Sequence, residues 1–426
     1  MTYVEFFDKD ATENICACLA YSPNKIIYVG DSDEQMTKSI DNYKQVFARR
    51  APKMEFIKKV VEKDNLDSAI TVLSQIIEEN EECVFDITGG AEILAVALGI
   101  VYAKYPDKKI RLRRFNVNES TVCDCTPDGK TVYQVVPKFS ISENVRIYGG
   151  KVMFGRIDQH KTYLWNLMPD FLRDAELIWG ICRGNPRLWN TQIGVFEAME
   201  EVGRVNGSTL TTVASRRALD PYLKRHKARY RKINGIINQL LANGLITRFE
   251  EKDEETVTVS YKNEQVKKCL TTAGMALELK VYITAKLLKD KNGNPYFDDA
   301  LNGVLIDWDG FAHDEKREEI FDTENEIDVM LMRGITPIFI SCKNGNITSE
   351  ELYKLDTVAK RFGGKHAKRV LVAPSIETLG DTGEYLIQRA KDMNILLIKD
   401  ILGASDGDEK LKNGLMSIVK DSDGIN

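Results

Sequence analysis

Two short stretches near the C-terminus hold side chains able to bind a hard metal ion and activate a water: Glu326-Ile327-Asp328-Val329 and Ser341-Cys342-Lys343-Asn344. Successive side chains of a strand point to opposite faces. If both stretches are strands, Glu326 and Asp328 share one face, as do Ser341 and Lys343. The short Met332–Thr336 connection would pair them and gather two carboxylates, a hydroxyl and a lysine at one edge. Carboxylate oxygens suit a hard divalent cation such as Mg2+ or Mn2+, which keeps several waters. A cation so held produces hydroxide near neutral pH and offsets phosphate charge, while a neighbouring lysine orients the nucleophile. Each charge alone reads as a solvated strand residue. The chemistry lies in their combination, behind the helical stretch MALELKVYITAKLLKD that carries Glu278.

Other candidate contacts lie at three strand ends near the N-terminus. In parallel sheets, ligands sit beyond the carboxyl ends of the strands. In Phe7–Asn14, Thr12 or Asn14 would cap a helix or meet a ligand, and Gly30-Asp31-Ser32 is a second such end. Asp86-Ile87-Thr88-Gly89-Gly90-Ala91-Glu92 is the most specific. Its glycines allow close backbone approach, and the N–H groups opening the next helix favour an anion. Neither G-x-G-x-x-G nor a P-loop is present, which excludes an ordinary NAD or NTP domain. Between Arg216 and Lys232 lie eight cations with Tyr222 and Tyr230 interleaved, a pattern for polyanion contact. The acidic EEKDEE that follows argues against insertion into a duplex, so this segment reads as a connector that also guides substrate.

These residues need elements to hold them. From TYVEFF to KIRLRRFNV, strand-like and helix-like stretches alternate, which means a mostly parallel sheet covered on both faces. STVCDCTPDGKTVYQVV follows as a hairpin turned at Asp128-Gly129. INGIINQLLANGLI, ITRFE and TVTVSY read as a helix and a two-stranded wing, and Trp165, Trp179 and Trp189 as packing residues of a helical stretch. The C-terminal order is α-β-β-β-α-β-α-β. The expected fold is therefore α/β in three parts: a Rossmann-like parallel sheet over 1–145, a winged-helix-like connector over 146–272 and an α/β domain over 273–426.

At 426 residues, two or three domains are expected. A composition 43% apolar and 29% charged is that of a soluble globular protein. The net charge of −5 leaves any nucleic-acid binding to a local patch. No basic and apolar leader opens the chain, and ILAVALGIVYA is about half the ~20 residues of a membrane span. A cytoplasmic protein with no membrane contact is expected. The tight cysteine spacings, Cys16/Cys18 and Cys123/Cys125, are both C-x-C with no histidine near, so reduced thiols are expected rather than zinc.

The strand ending D-x-T-G-G before an apolar helix resembles the CARF domain (CRISPR-associated Rossmann fold), whose members bind cyclic oligoadenylates, usually across the two-fold axis of a homodimer. The resemblance implies ligand contacts at Ala11, Thr12, Asn14 and Asp31 and at Thr88, Gly89, Gly90 and Ala91. Ala91 and Glu92 stand where the family often continues Thr-Lys. N-E-I-D-V followed by F-I-S-C-K-N-G resembles the PD-(D/E)xK nuclease core of restriction endonucleases. Asp328 matches its first aspartate, Lys343 its lysine, and Glu278 the glutamate many members carry on the first helix. Ser341 stands where a second acid is usual; Glu326 takes its place at the metal, or Ser341 acts through water, with Asp307 and Asp309 as alternates.

Together these parts resemble the type III CRISPR ancillary nucleases activated by cyclic oligoadenylate. The resemblance implies a homodimer, a messenger that is most often cyclic tetra-adenylate, and a Mn2+ or Mg2+ ion on Asp328, Glu278 and Glu326. It also implies poorly sequence-selective cleavage of single-stranded RNA, single-stranded DNA or nicked duplex in antiviral defence. Arg216, Arg217, Lys224 and Arg225 would touch the nucleic acid. The competing class is a ligand-responsive winged-helix DNA-binding regulator with an inactive nuclease-like dimerisation domain. In that class Asp328 and Lys343 are dispensable.

Overall fold

Apolar runs of five to eight residues separated by amphipathic helices can bury both faces only inside an α/β layer. The computed structural model describes residues 2–117, 121–126, 129–134, 137–252, 255–310, 324–345, 347–403 and 405–419. In it, Glu55–Val60, Lys25–Gly30, Thr2–Phe6, Glu82–Asp86 and Lys109–Asn116 pair in that order, all parallel. Thr121–Thr126 and Gly129–Gln134 extend the sheet antiparallel; Asp128 of the expected turn lies outside the described residues. Strand order reverses between Thr2–Phe6 and Glu82–Asp86. The two loops singled out in the sequence leave the sheet at that switch point, where α/β sheets bind ligands.

Two antiparallel helices, Pro169–Gly184 and Pro186–Val202, bury Trp179 and Trp189 in the middle of the chain. The expected wing has two strands; the structure has a sheet of four, ordered Ile246–Lys252, Thr256–Tyr261, Thr211–Ser215, Arg204–Val205. Thr211–Ser215 buries Thr212 and Ala214 in alternation and covers the edge that Thr256–Tyr261 would otherwise leave unpaired. Asp253 and Glu254 of the acidic tip lie outside the described residues.

The C-terminal sheet follows the expected order of elements and has six strands. Asp299–Asp307, Glu324–Arg333 and Thr336–Cys342 form an antiparallel meander, and Lys368–Val372 and Ile395–Ile398 continue it in parallel. The sixth strand is Lys151–Val152, which the 146–272 division assigns to the connector. It joins this sheet because the loop after it is bonded there: the Thr162 hydroxyl accepts the Leu305 N–H at 2.9 Å.

Packing crosses the divisions of the chain. One apolar cluster runs from Tyr3, Tyr28 and Tyr43 through Ile141 and Val145 to Val304, Met330, Phe339 and Phe362. All eight cysteines are free thiols. Among the described residues no helix is long and apolar enough to cross a membrane. Because Phe362 is fully buried where the N-terminal and C-terminal layers share their core, Phe362→Ala should cost about 3–5 kcal/mol in denaturant unfolding. A loss under about 1 kcal/mol would mean that the two layers do not depend on this contact.

Candidate active site and sensor loops

The hairpin Glu324–Arg333 and Thr336–Cys342 is laddered only as far as Val329 opposite Ile340. Beyond that pair, the Cys342 N–H donates to Asp328 Oδ2 at 2.6 Å instead of to a strand carbonyl. The Ser341 hydroxyl donates to the same oxygen at 3.2 Å, and Lys343 Nζ lies 3.7 Å from it. The strands therefore part at the chemical residues and open a cleft of about 320 Å3 lined by Glu326, Asp328, Ser341, Lys343 and Glu351. Among the described residues every contact of the Asp328 carboxylate falls on Oδ2.

Three features hold Asp328 from behind. Asn302 pairs with Val329 and Val304 with Ile327, which puts Gly303 opposite Asp328. Gly303 has φ +56°, a turn of the backbone that glycine adopts without strain. Buried Asn302 donates to the Asp328 carbonyl at 2.9 Å and accepts from the Trp165 indole at 2.9 Å. Glu278 comes from the first turn of the helix Met275–Leu287, which is buried almost throughout. Gly274 caps that helix with φ +84°, and a Cβ there would sit 2.7 Å from Glu278 Oε1.

The structure brings Glu278, Glu326, Asp328, Ser341 and Lys343 together. It also adds Glu351, which the sequence reading missed. Glu351 stands in the first turn of the helix Ser349–Gly363 with Oε2 3.3 Å from Lys343 Nζ. It supplies a carboxylate beside the position where Ser341 leaves one out. The only signal for it was an acidic first turn on the helix after the lysine strand. The alternates stand apart: Asp307 is buried opposite Glu324, beside Arg146, and Asp309 lies two residues further on.

Burial works against the charge of Lys343, but Asp328 and Glu351 outweigh it and lift its pKa above the ordinary lysine value. Lys343 is thus a fixed cation rather than a base. Burial, then Asp328 and Glu326, push the Glu278 carboxyl well above the usual range. Among the described residues no three acidic, histidine or cysteine side chains converge into a ready cage. The donor set nonetheless fits a hard cation: Glu278, Glu326 and Asp328 offer only carboxylate oxygens, the donors such an ion takes.

At the other end of the molecule, Ala11, Thr12 and Asn14 are buried and bonded inside the protein instead of facing a ligand. Asn14 closes its own loop through the Asp8 N–H at 2.6 Å and the Asp8 carbonyl at 2.7 Å. The Thr12 hydroxyl meets the Tyr148 hydroxyl at 2.9 Å, and Tyr148 donates to Asp10 at 2.6 Å. Asp10 also accepts the Lys365 N–H at 2.9 Å, and Glu13 pairs with Lys365 Nζ at 2.8 Å. Lys365 belongs to the turn Gly364–His366 of the C-terminal layer, so this loop joins the N-terminal sheet to the nuclease-like domain. Its acidic spacing hid that role, because partners 350 residues away leave no trace in local pattern.

The second loop keeps an open side. Thr88, Gly89 and Gly90 are half-buried, and Ala91 and Asp31 are exposed. Gly90 has φ +91° and a Cβ there would strike Phe6; its N–H donates to Asp8 at 3.0 Å. Thr88 accepts the Phe115 N–H at 2.7 Å, and its own N–H goes to Asp86 at 2.8 Å.

On the helix Arg216–Arg225 the four expected cations divide. Arg216 is held by Glu251 at 2.5 Å, together with Lys232 at 2.9 Å and the Tyr230 hydroxyl at 2.6 Å. Arg217, Lys224 and Arg225 are exposed and carry no ion pair among the described residues. Glu251 comes from the acidic wing strand, so the wing neutralises part of the basic cluster rather than approaching a duplex.

The fold expected from the resemblance, a Rossmann-like parallel sheet joined to a restriction-endonuclease-like α/β domain, is the fold of this chain. Protein VC1899 from Vibrio cholerae matches it with a TM-score of 0.72 at 18% identity, over 99% of this chain and 98% of that one. Can2 from Sulfobacillus thermosulfidooxidans, solved in complex with cyclic tetra-adenylate, matches with a TM-score of 0.66 at 15% identity, over 98% and 99%. No protein-family model matches the sequence, and neither does any curated protein.

Burial lifts the Asp86 carboxyl to about 6, against the hydrogen bonds from Thr88. The unfolded chain loses this proton near 3.8 and the folded chain near 6, so ionisation costs stability progressively between those values and fully above them. Asp86→Asn should therefore match the parent below about pH 4 and be more stable by on the order of 2–3 kcal/mol above pH 6. Equal stability at pH 7.5 in urea unfolding would contradict a buried, ionised Asp86.

Proposed function

We propose that this protein is a metal-dependent endonuclease that hydrolyses phosphodiester bonds of single-stranded RNA or DNA, and nicks duplex DNA, with little sequence specificity. We further propose that a cyclic oligoadenylate, first of all cyclic tetra-adenylate, switches it on as part of type III CRISPR defence. The observation that carries the reading is the parted hairpin, with Asp328, Ser341, Lys343 and Glu351 around one cleft. The fold shared from end to end with a protein solved with cyclic tetra-adenylate supports the choice of messenger.

Asp328, Glu278 and Glu326 would hold Mg2+ or Mn2+, which when bound acidifies a water and offsets charge on the phosphate. Lys343 is fixed between Asp328 and Glu351, so its ammonium faces the cleft with little freedom left. It donates to the attacking water and to a non-bridging phosphate oxygen as negative charge grows in the transition state. The water loses a proton to bulk solvent as it adds to phosphorus, the P–O bond to one sugar breaks, and the departing oxygen takes a proton from solvent. Arg217, Lys224 and Arg225 would offer charge to the phosphates of the strand.

A messenger would lie on Asp31, Thr88, Gly89, Gly90 and Ala91, where two copies of the N-terminal sheet form a homodimer. Ala11, Thr12 and Asn14 would act behind it, through the loop that reaches Lys365. The test is purified protein with Mn2+, separate cyclic tri-, tetra- and hexa-adenylate, and labelled single-stranded RNA, single-stranded DNA and supercoiled plasmid. Cleavage with one ring size, reduced at least 100-fold in Asp328→Ala and in Lys343→Ala, is expected. Sequence-specific duplex binding without cleavage under any ring would establish the regulator instead.

A further inference from the structure

Beside the carboxylate cleft, a second and smaller pocket of about 130 Å3 opens on the other side of Glu326. The segment after the edge strand supplies His160, Lys161 and Tyr163 to it, and the helix Glu264–Thr271 supplies Lys268. Gly303, opposite Asp328, lines it, and Glu326 lines both this pocket and the cleft.

Among the described residues Lys161 and Lys268 have no carboxylate in ion-pair range. The two cations line one pocket together with Tyr163, beside Glu326. They suit a phosphodiester strand, whose next phosphate needs positive charge once the scissile one enters an acidic cleft. Asn302 also lines the pocket and bonds both Trp165 and the Asp328 carbonyl, which fixes the pocket relative to the chemistry.

We propose that this pocket is a phosphate subsite for the nucleotide flanking the scissile bond, with Lys161 and Lys268 as its charged contacts and Tyr163 against the sugar or base. The proposal rests on the nuclease reading for which bond is scissile, but its test is a binding measurement. Fluorescence anisotropy with a labelled single-stranded 12-mer, in Lys343→Met protein with Ca2+ present, compares the parent with Lys161→Ala/Lys268→Ala. Affinity should fall about tenfold near 0.15 M salt, and the slope of log K against log salt should be shallower by about 1.4, for two lost phosphate contacts. The thermal midpoint should not move, and Lys53→Ala, in the turn before the N-terminal strand Glu55–Val60, should leave binding as it was.

Unchanged affinity and slope in the double variant would overturn the subsite, as would failure of the parent to bind any strand. Parent protein that binds but never cleaves, while the lysine pair still sets the salt slope, would sink the nuclease reading and leave the subsite standing.

Discussion

One carboxylate stands where a strand partner should be. Asp328 accepts the Cys342 N–H that the hairpin ladder would otherwise engage, and the two strands part from that bond onward. The same oxygen takes the Ser341 hydroxyl and faces Lys343. Remove it and a buried donor on a central strand has no partner, while the lysine loses one of its two counter-charges. Gly303, Asn302 and Trp165 exist in this arrangement to hold the Asp328 backbone in place from the other side. The helix behind them holds Glu278 largely buried beside Asp328 and Glu326.

The second constraint is the joint between the N-terminal and C-terminal layers. A loop that runs from an N-terminal strand into the acidic residues Asp8, Asp10 and Glu13 would ordinarily reach solvent. Here Tyr148, Lys365 and the turn Gly364–His366 take up Asp10 and Glu13, while Asp8 accepts the Gly90 N–H. Gly364, at φ +55°, lies so close that a side chain there would strike the Asp10 carboxylate. Gly364 directly follows the helix that bears Glu351, so this joint is continuous with that helix.

Much of this was legible in the chain. Alternation of apolar strands and amphipathic helices gave the parallel sheet, and period-two spacing placed Glu326 with Asp328 and Ser341 with Lys343 on facing sides. What stayed hidden depends on long-range pairing. Glu351 looked like an ordinary acidic helix start, Asn302 like a polar break in an apolar strand, and Lys151–Val152 like the opening of a connector. Thr12 and Asn14 have the right chemistry for a ligand, yet burial gave them to the protein itself. Arg216 was one cation among eight until the wing strand brought Glu251 to it.

The account stands on the carboxylate cluster being a cation site organised by Asp328. Mn2+ titration followed by electron paramagnetic resonance, on the parent and on Asp328→Asn with its fold confirmed by circular dichroism, addresses that directly. Saturable binding in the parent, weakened at least tenfold by the substitution, is the result expected. Equal binding by both proteins, or none by the parent up to millimolar Mn2+, would contradict it.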